Sequence, residues 1–397
     1  MNPATREPDR RDDVGLLVLD ASGARTDSLS KLPQMLHPGD VVVVNDAATF
    51  PGSLALRTGS GEAVEIRLIE ERPGRFLSIA LGSGDWRTDT DERPPPPPLA
   101  PGDRLYANNR EVAEVVAIDP RSARLLELSL GRDPWSLIYR IGRPIQYSYL
   151  ESDLELWSIQ TSFASRPLAA EMPSAGRPLS WSVIAEFRAR DIEVVALTHA
   201  AGLSATGDPA LDALLPFPER YHIPAITAAA VNGARGDVIA IGTTVARALE
   251  SSARASKTGL VLPGPGLATL RIDADTPLYV TDAILTGLHD VGASHRTLLE
   301  AFADLGDLDR AWTVAARAGF RSHELGDVAL VRNRRRQKLT DLGLDGRGSS
   351  ESDVVVTAIG DHLNTERQPG GRESDRNLGR RGLEDVEQSG HYRLQWG

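Results

Sequence analysis

The chain has 397 residues, 41% hydrophobic and 25% charged, a balance typical of soluble globular proteins and a length that suggests two or three domains. The absence of cysteine excludes disulfides, iron–sulfur clusters, thiolate zinc sites and a cysteine nucleophile. A net charge of −11 argues mildly against a general nucleic-acid coat protein, although one basic face is compatible with it. We expect a cytoplasmic protein without a secretory leader, and without a membrane span because no apolar run approaches the ~18 residues that a span needs.

Residues 16–44 at the start of the chain read as strand, helix and strand. Residues 41–44 are four valines in a row that follow the turn Gly39-Asp40. An uninterrupted apolar run of this kind is typical of a strand buried on both faces. The sequence therefore predicts that this run lies inside a sheet.

The pattern changes between residue 53 and about residue 130. Val64, Ile66 and Leu68 alternate with charged residues, and turn signals separate further short apolar runs. Short strands at this spacing predict a small β-barrel or sandwich. The five prolines at 94–98 predict a stiff exposed loop within it, with an SH3-type ligand as the alternative.

Strands and helices alternate from residue 181 to residue 331, which favours an α/β core. Trp181, Ile184 and Phe187 share one helical face. The charged and glycine-rich residues 332–397 predict a disordered tail, in which the arginine run 334–336 reads as solvated charge rather than as a nucleic-acid contact. Within the core the sequence predicts strands at 192–197, 237–241 and 278–285, and helices at 245–255 and 296–305.

Three of the predicted strands end in polar residues. Ligands in open α/β sheets bind beyond the carboxyl ends of the strands, so these residues predict one site. The backbone N–H groups that open the helix after Gly242 would attract a carboxylate or a phosphate. The structural alternatives are a tight turn with a threonine cap, and histidines that are hydrogen-bonded within the core. The strand-end residues are Thr198-His199, Gly242-Thr243-Thr244, and Thr286 with His289.

Several known site motifs are absent from the sequence. No Walker-type loop, no Gly-x-Gly-x-x-Gly after a strand and no Gly-x-Ser-x-Gly elbow occurs. The eight histidines are scattered and no His-Glu-x-x-His is present, which argues against a catalytic zinc. Catalysis here would have to use carboxylates, hydroxyls, histidine, arginine or backbone groups.

A series of sequence blocks from about residue 14 to residue 331 occurs in an order that identifies a family. The blocks are GDVVVVND (39–46) with PGSL (51–54), QTSF (160–163), AAEMPSAG (169–176), LTH (197–199), ERYHIP (219–224), AIGTTVARALES (240–251), DAILTGLH (282–289), and FR (320–321) leading to GD (326–327). In this order they resemble the S-adenosylmethionine:tRNA ribosyltransferase-isomerase family of queuosine biosynthesis. No single block is decisive, and the number of them in order carries the resemblance.

The resemblance implies an α/β fold, with an α/β catalytic domain (1–52 and 146–331) interrupted by a small β-barrel domain (53–145) and followed by the tail (332–397). It implies that the ribosyl group of S-adenosylmethionine is transferred and isomerised onto 7-aminomethyl-7-deazaguanine in tRNA. Adenine and methionine are released, so S-adenosylmethionine is a consumed substrate. We expect tRNA and S-adenosylmethionine as partners, no metal, no membrane contact, and a monomer.

The resemblance also implies roles for particular residues. A sulfonium acidifies the adjacent C5′ protons, so a general base must reach that carbon, and His199, Glu219 and His289 are the acid/base candidates. The methionine carboxylate needs N–H donors, which Gly242-Thr243-Thr244 and Arg247 could supply. The further substrate-binding candidates are Asn45, Asp46, Gln160, Thr161, Pro173, Ser174, Gly176, Thr198, Glu250, Thr286 and Arg321. We expect one pocket that brings His199, Thr243, Thr244, Arg247 and His289 together, bordered by an arginine-rich face.

The sequence departs from the family pattern at several polar positions. Pro178 stands where the family has a histidine, and Pro216-Phe217 stands for Met-His before the Glu219 block. The stretches 200–204 and 287–291 are altered as well. Two alternatives therefore stay open: an enzyme that uses S-adenosylmethionine or a related nucleoside with a small-molecule acceptor, and a binding protein without catalysis.

Overall fold

The computed structural model describes residues 1–289 and 294–333, so the predicted tail and its arginine run, 334–336, lie outside the described residues. Strand β1 (Gly15–Asp20) pairs antiparallel with β2 (Gly23–Ser28), and a 3₁₀ helix (Leu29–Met35) leads to β3 (Val41–Asn45). The predicted strand, helix and strand are present. The hairpin strand β2 was not predicted, because its mostly exposed residues carry no apolar pattern.

The region after a short strand β4 (Ala47–Thr49) forms a closed barrel of six antiparallel strands, which decides between the predicted barrel and sandwich. Its strands, in the order β10-β7-β6-β5-β8-β9 around the barrel, fall between the predicted bounds 53 and 145. The chain leaves the barrel beside the point where it enters, because Ser53 and Arg143 exchange two backbone hydrogen bonds of 2.9 Å. The strands are β5 (Ser53–Arg57), β6 (Ala63–Arg72), β7 (Arg75–Leu81), β8 (Arg104–Ala107), β9 (Arg110–Ile118) and β10 (Leu125–Ser129).

A buried charge cluster fastens a long loop to the barrel. Glu65 accepts hydrogen bonds from Arg67 (Nε–Oε1 3.0 Å) and from Arg93, and all three side chains are buried. Arg93 also donates to the carbonyls of Gly82 and Gly84 at 2.6 and 3.0 Å. The exposed prolines of the predicted loop begin directly after Arg93, at Pro94.

The remainder of the chain alternates helices and strands, as predicted. The predicted strand 278–285 is shorter in the structure, because the backbone at 279–281 donates to Glu250 instead of to a neighbouring strand. The prediction of one helix over 296–305 is wrong, because α6 ends at Leu299 and a separate helix, α7, begins at Leu305. The elements are α1 (Pro134–Ile141), β11 (Arg166–Ala169), α2 (Trp181–Ala189), β12 (Glu193–His199), α3 (Pro209–Asp212), β13 (Glu219–Ile223), α4 (Ala225–Asn232), β14 (Val238–Ile241), α5 (Thr243–Ala255), β15 (Gly264–Ala268), β16 (Ala283–Gly287), α6 (Ser294–Leu299), α7 (Leu305–Arg317) and β17 (Val328–Arg332).

A nine-stranded mixed sheet, in the order β15-β13-β12-β3-β14-β16-β17-β1-β2, forms the core of this part. Strands β12, β3, β14 and β16 are parallel neighbours. Val41 and Val43 of β3 enter one apolar core while Val42 and Val44 enter the other, so the valine run is buried on both faces. The carboxyl ends of the four parallel strands therefore meet at one edge of the sheet, where the predicted site residues lie.

Candidate active site

A cavity of about 380 Å³ opens at the carboxyl ends of β3, β14 and β16, a size within the range of small-molecule sites. Its walls come from residues 171–176 and 201–204, and from the start of α5. Predicted site residues that line it are Asn45, Pro173, Ser174, Gly176, Glu219, Gly242, Thr243, Thr244, Arg247 and Thr286. Ten of the eighteen predicted site residues therefore line the cleft.

The start of helix α5 presents backbone donors to this cleft. Gly242 is the cap residue, has φ +93° and makes no side-chain capping hydrogen bond, so the threonine cap considered from the sequence is wrong. This φ favours glycine, because an L side chain is strained in that region. The first N–H groups of α5 have no partner within the helix, and the helix dipole adds positive potential there. This corner of the cleft suits a carboxylate or a phosphate.

Glu219 and Arg247 form a buried ion pair on the cleft wall. Glu219 Oε2 accepts from Arg247, and Oε1 accepts from the backbone N–H of Gly202 at 2.6 Å. Arg247 also donates to the carbonyls of Leu270 and Ala268, at 3.1 and 3.0 Å. Arg247 thus serves Glu219 and the backbone, which leaves the helix start as the better-placed receptor for a carboxylate.

His199 lies behind this pair and does not line the cleft. Its Nε2 is 3.4 Å from Glu219 Oε2, and the ring is fully buried with neither nitrogen in a hydrogen bond. Burial, and then the positive charge of Arg247, hold the pKa of His199 well below its ordinary value. Burial raises the pKa of Glu219. A neutral imidazole therefore stands beside a carboxyl group whose proton affinity is increased.

Two stacked histidines, His289 and His295, lie near Arg247. His295 lines the cleft and stacks on His289, with ring centroids 4.3 Å apart, and Nε2 of His289 is buried without a partner. Burial and Arg247 lower the pKa of His295 to about 4, and burial lowers the pKa of His289. Both rings are neutral near pH 7. His289 was a predicted catalytic residue, whereas His295, which is the one in the cleft, lies outside the family blocks and was missed.

Several predicted residues hold the strand ends together by hydrogen bonds. Asp46, Gln160 and Thr198 do so without lining the cleft. Asn45 lines the cleft and also forms two hydrogen bonds with the backbone of His199. Its Nδ2 donates to the carbonyl at 3.0 Å, and its Oδ1 accepts from the N–H at 2.9 Å. Asp46 accepts from Thr198 Oγ1 at 2.6 Å. Gln160 exchanges two hydrogen bonds with the backbone of Thr49, at 3.0 and 2.7 Å. These contacts fix the ends of β3, β4 and β12 relative to one another.

Three other predicted residues also lie outside the cleft lining. Glu250 is fully buried on α5, and its oxygens accept the backbone N–H groups of residues 279–281. Thr161 is buried, and its hydroxyl has no hydrogen-bond partner among the described residues. Arg321 is exposed. The arginines of the lining, Arg247 and Arg271, both donate to backbone carbonyls, and the expected arginine-rich border of the cleft stays a prediction.

Two departures from the family pattern are also placed by the structure. Pro216 lines the cleft, while Phe217 packs against the apolar core of the barrel and its carbonyl accepts from Arg247 at 3.3 Å. Pro178 is buried and does not line the cleft. The sequence reasoning missed Glu171 and Ser204 of the lining, whose contacts come from distant parts of the chain.

Within the part of the chain that the structure describes, no group of three or more His, Asp or Glu side chains could hold a metal ion. The helices of the same residues include none that is long and apolar enough to cross a membrane.

Comparison with known proteins gives a consistent result. A sequence model of the family described as "Queuosine biosynthesis protein" matches residues 2–331. The chain is 32% identical to an S-adenosylmethionine:tRNA ribosyltransferase-isomerase of Sorangium cellulosum, over 83% of this chain and 95% of that one. It is 28% identical to the protein of the same name from Moorella thermoacetica, over 81% and 93%. A solved S-adenosylmethionine tRNA ribosyltransferase from Thermotoga maritima matches with a TM-score of 0.44 and 19% identity, over 83% of this chain and 95% of that one.

Proposed function

The chain belongs to the queuosine biosynthesis protein family, and from that premise we propose that it transfers and isomerises the ribosyl group of S-adenosylmethionine onto 7-aminomethyl-7-deazaguanine in tRNA. Adenine and methionine are released, so S-adenosylmethionine is consumed as a substrate. The relatives matched over most of their length carry the name of this activity. The observation that carries the proposal is one cleft with an anion-binding helix start and the Glu219–Arg247 pair on its walls.

The start of α5 binds the methionine carboxylate in this proposal. The N–H groups after Gly242 supply hydrogen bonds and positive potential, and the hydroxyls of Thr243 and Thr244 stand at the same corner. Binding the carboxylate here directs the sulfonium and its ribosyl group into the remainder of the cleft.

Glu219 is the proposed general base for the C5′ proton. Burial raises the pKa of Glu219 toward the pH at which the enzyme works, which favours a general base. Arg247 fixes the orientation of the carboxyl group. His199 stays neutral behind it, 3.4 Å from the Glu219 carboxyl group, and helps to hold that group in place without adding a charge to the site. These assignments account for a carboxylate and a histidine so close together without a hydrogen bond of good geometry.

His295 is the proposed partner of the departing adenine. A neutral ring nitrogen in the cleft can hydrogen-bond a purine nitrogen as charge develops on it, and His289 holds the ring of His295 by stacking. The pKa of His295, about 4, keeps the ring uncharged beside Arg247.

The test mixes the purified protein, S-adenosylmethionine and tRNA that carries the aminomethyl-deazaguanine base, and follows adenine release and tRNA mass. We expect adenine together with a mass gain on the tRNA, and tRNA binding that weakens steeply with salt because phosphate contacts carry it. Adenine without tRNA modification would indicate a small-molecule acceptor. Intact S-adenosylmethionine that nevertheless binds would indicate a binding protein.

A further inference from the structure

Glu171 is a cleft residue to which the proposed reaction has so far given no role. It lies two residues after β11 on the cleft wall, half-buried, between the helix-bearing part and the barrel. Its Oε1 accepts the Tyr147 hydroxyl and both the N–H and the hydroxyl of Ser204, at 2.9 and 3.1 Å. Tyr147 follows the exit of the chain from the barrel, so two separate parts of the fold hold this carboxyl group in one orientation.

The two oxygens of Glu171 are used very unequally. All of the side-chain hydrogen bonds described above go to Oε1, and Oε2 receives none from the residues that the structure describes. Oε2 is not among the buried polar atoms left without a partner, so it is accessible, and Glu171 is a residue of the cleft lining. The carboxyl group is therefore anchored by one oxygen and presents the other to a ligand.

The carboxyl group of Glu171 forms no direct ion pair with any of the described residues. Glu219, the other glutamate of the lining, is paired with Arg247, whereas no arginine or lysine of the described residues forms an ion pair with Glu171. Burial raises the pKa of Glu171, and the charge of Arg67 opposes this only in part, since Arg67 lies over the Tyr147 ring at 5.9 Å and is bonded to Glu65 and Thr90. Burial, and then the negative charges of Glu171 and Glu324, raise the pKa of Tyr147. This wall of the cleft favours a cation.

We propose that Glu171 binds a primary ammonium group of a substrate through Oε2. The inference rests on the proposed function, which brings two such groups to the cleft: the amino-acid ammonium of S-adenosylmethionine and the aminomethyl group of the acceptor base. An ammonium donates three hydrogen bonds and carries the charge that this wall lacks. Glu171 is then a specificity-determining residue, which distinguishes amines from their neutral analogues.

The experiment compares wild-type protein with Glu171→Gln, which keeps the size and the Tyr147 and Ser204 contacts but removes the charge. Calorimetry measures the dissociation constants of S-adenosylmethionine and of its deaminated analogue, and steady-state kinetics measures KM for the modified tRNA. Hydrogen bonds to a charged group predict a loss of about 10- to 100-fold for the ligand whose ammonium is bound. Gln34→Ala, far from the cleft lining, is the control for handling and folding.

The two measurements distinguish the two substrates that could supply the ammonium group. If the bound ammonium is that of S-adenosylmethionine, the wild type prefers it to the deaminated analogue and Glu171→Gln binds both equally. If it is that of the acceptor, KM for the tRNA rises while S-adenosylmethionine binds as before. Unchanged values in both arms, with a folded variant, would overturn the proposal. Because the calorimetry needs no turnover, an inactive wild type would count against the proposed function and leave the first arm readable.

Discussion

The barrel and the cleft both bury charged and polar side chains, but they satisfy them differently. In the barrel, Glu65 accepts hydrogen bonds from Arg67 and Arg93, and Arg93 donates to two carbonyls, so each of these charged groups has a partner even though Arg93 Nε has none. In and behind the cleft, both ring nitrogens of His199 and Nε2 of His289 are buried without a partner. Buried polar groups without partners cost stability. The difference is therefore that the barrel pairs its buried charges with one another, whereas His199 forms no hydrogen bond with the rest of the chain.

The largest effect is expected from breaking the barrel cluster. Arg93→Met leaves the buried Glu65 with one cation fewer and releases the loop carbonyls at 82 and 84. Removing one partner of a buried ion pair lowers the free energy of unfolding by about 3–5 kcal/mol. Urea denaturation measures this, and adenine release per folded molecule should stay close to that of the wild type. An Arg93→Met protein that kept its stability and lost its activity would contradict the assignment of stability to the barrel cluster and of activity to the cleft.

The opposite result is expected in the cleft with His199→Leu. The substitution removes two buried nitrogens that have no hydrogen bonds, so the free energy of unfolding should stay the same or rise by about 1 kcal/mol. Adenine release should fall by about 100-fold, because the ring that packs 3.4 Å from Glu219 is lost and a small displacement of the general base slows proton transfer strongly. Denaturation and single-turnover kinetics on one preparation check both halves. Loss of stability together with activity would make His199 a structural residue.

A smaller effect, dependent on pH, is expected at Glu324, whose Oε2 is buried without a partner. Burial raises the pKa of Glu324 to about 7 in the folded protein. The folded state therefore binds this proton more tightly than the unfolded state, and stability falls as pH rises from about 4.5 to about 7 and is then level. Glu324→Gln should gain up to about 2 kcal/mol relative to the wild type at pH 8 and nothing at pH 4. If Glu324→Gln changed the free energy of unfolding by the same amount at pH 8 and at pH 4, the protonation of Glu324 would not be the cause.

The smallest effect is expected on the barrel surface, at Arg104. It pairs with Glu111 at 2.6 Å, but both side chains are exposed. Exposed ion pairs contribute little to stability, so Arg104→Met should leave the urea midpoint unchanged. The same substitution at Arg93 and at Arg104 thus compares a buried and an exposed arginine of one barrel. If both substitutions lowered the free energy of unfolding by a similar amount, arginine charge alone, and not the buried network, would stabilise the barrel.

Local patterns predicted the parts of the fold that depend on local forces. The valine run of β3 and the helix after Gly242 follow from apolar periodicity and from a glycine at the helix start. The hairpin strand β2 was missed because its polar residues form a strand only by pairing with β1. Closure of the barrel depends on pairing between distant strands such as β5 and β8, which no local pattern contains.

The candidate site shows the same limit. Strand ends and family blocks led to Glu219, Arg247 and the start of α5, because the sheet brings those positions to one edge. Glu171 lay inside a recognised block, but its significance depends on Tyr147 and Ser204, which only the folded chain brings to it. Glu250 shows the converse, since this residue of the 240–251 block accepts backbone N–H groups of a loop and does not line the cleft.

The paired backbone of Ser53 and Arg143 has a consequence for the order in which the chain folds. The parallel neighbours β3 and β12 are separated by about 150 residues, and closing the barrel between them shortens that separation to about 60. Most barrel strands pair with their neighbours in sequence, whereas the central sheet depends on distant pairings that form slowly. We therefore expect the barrel to form early in refolding and to bring the ends of the sheet strands together, so that the catalytic edge is assembled last.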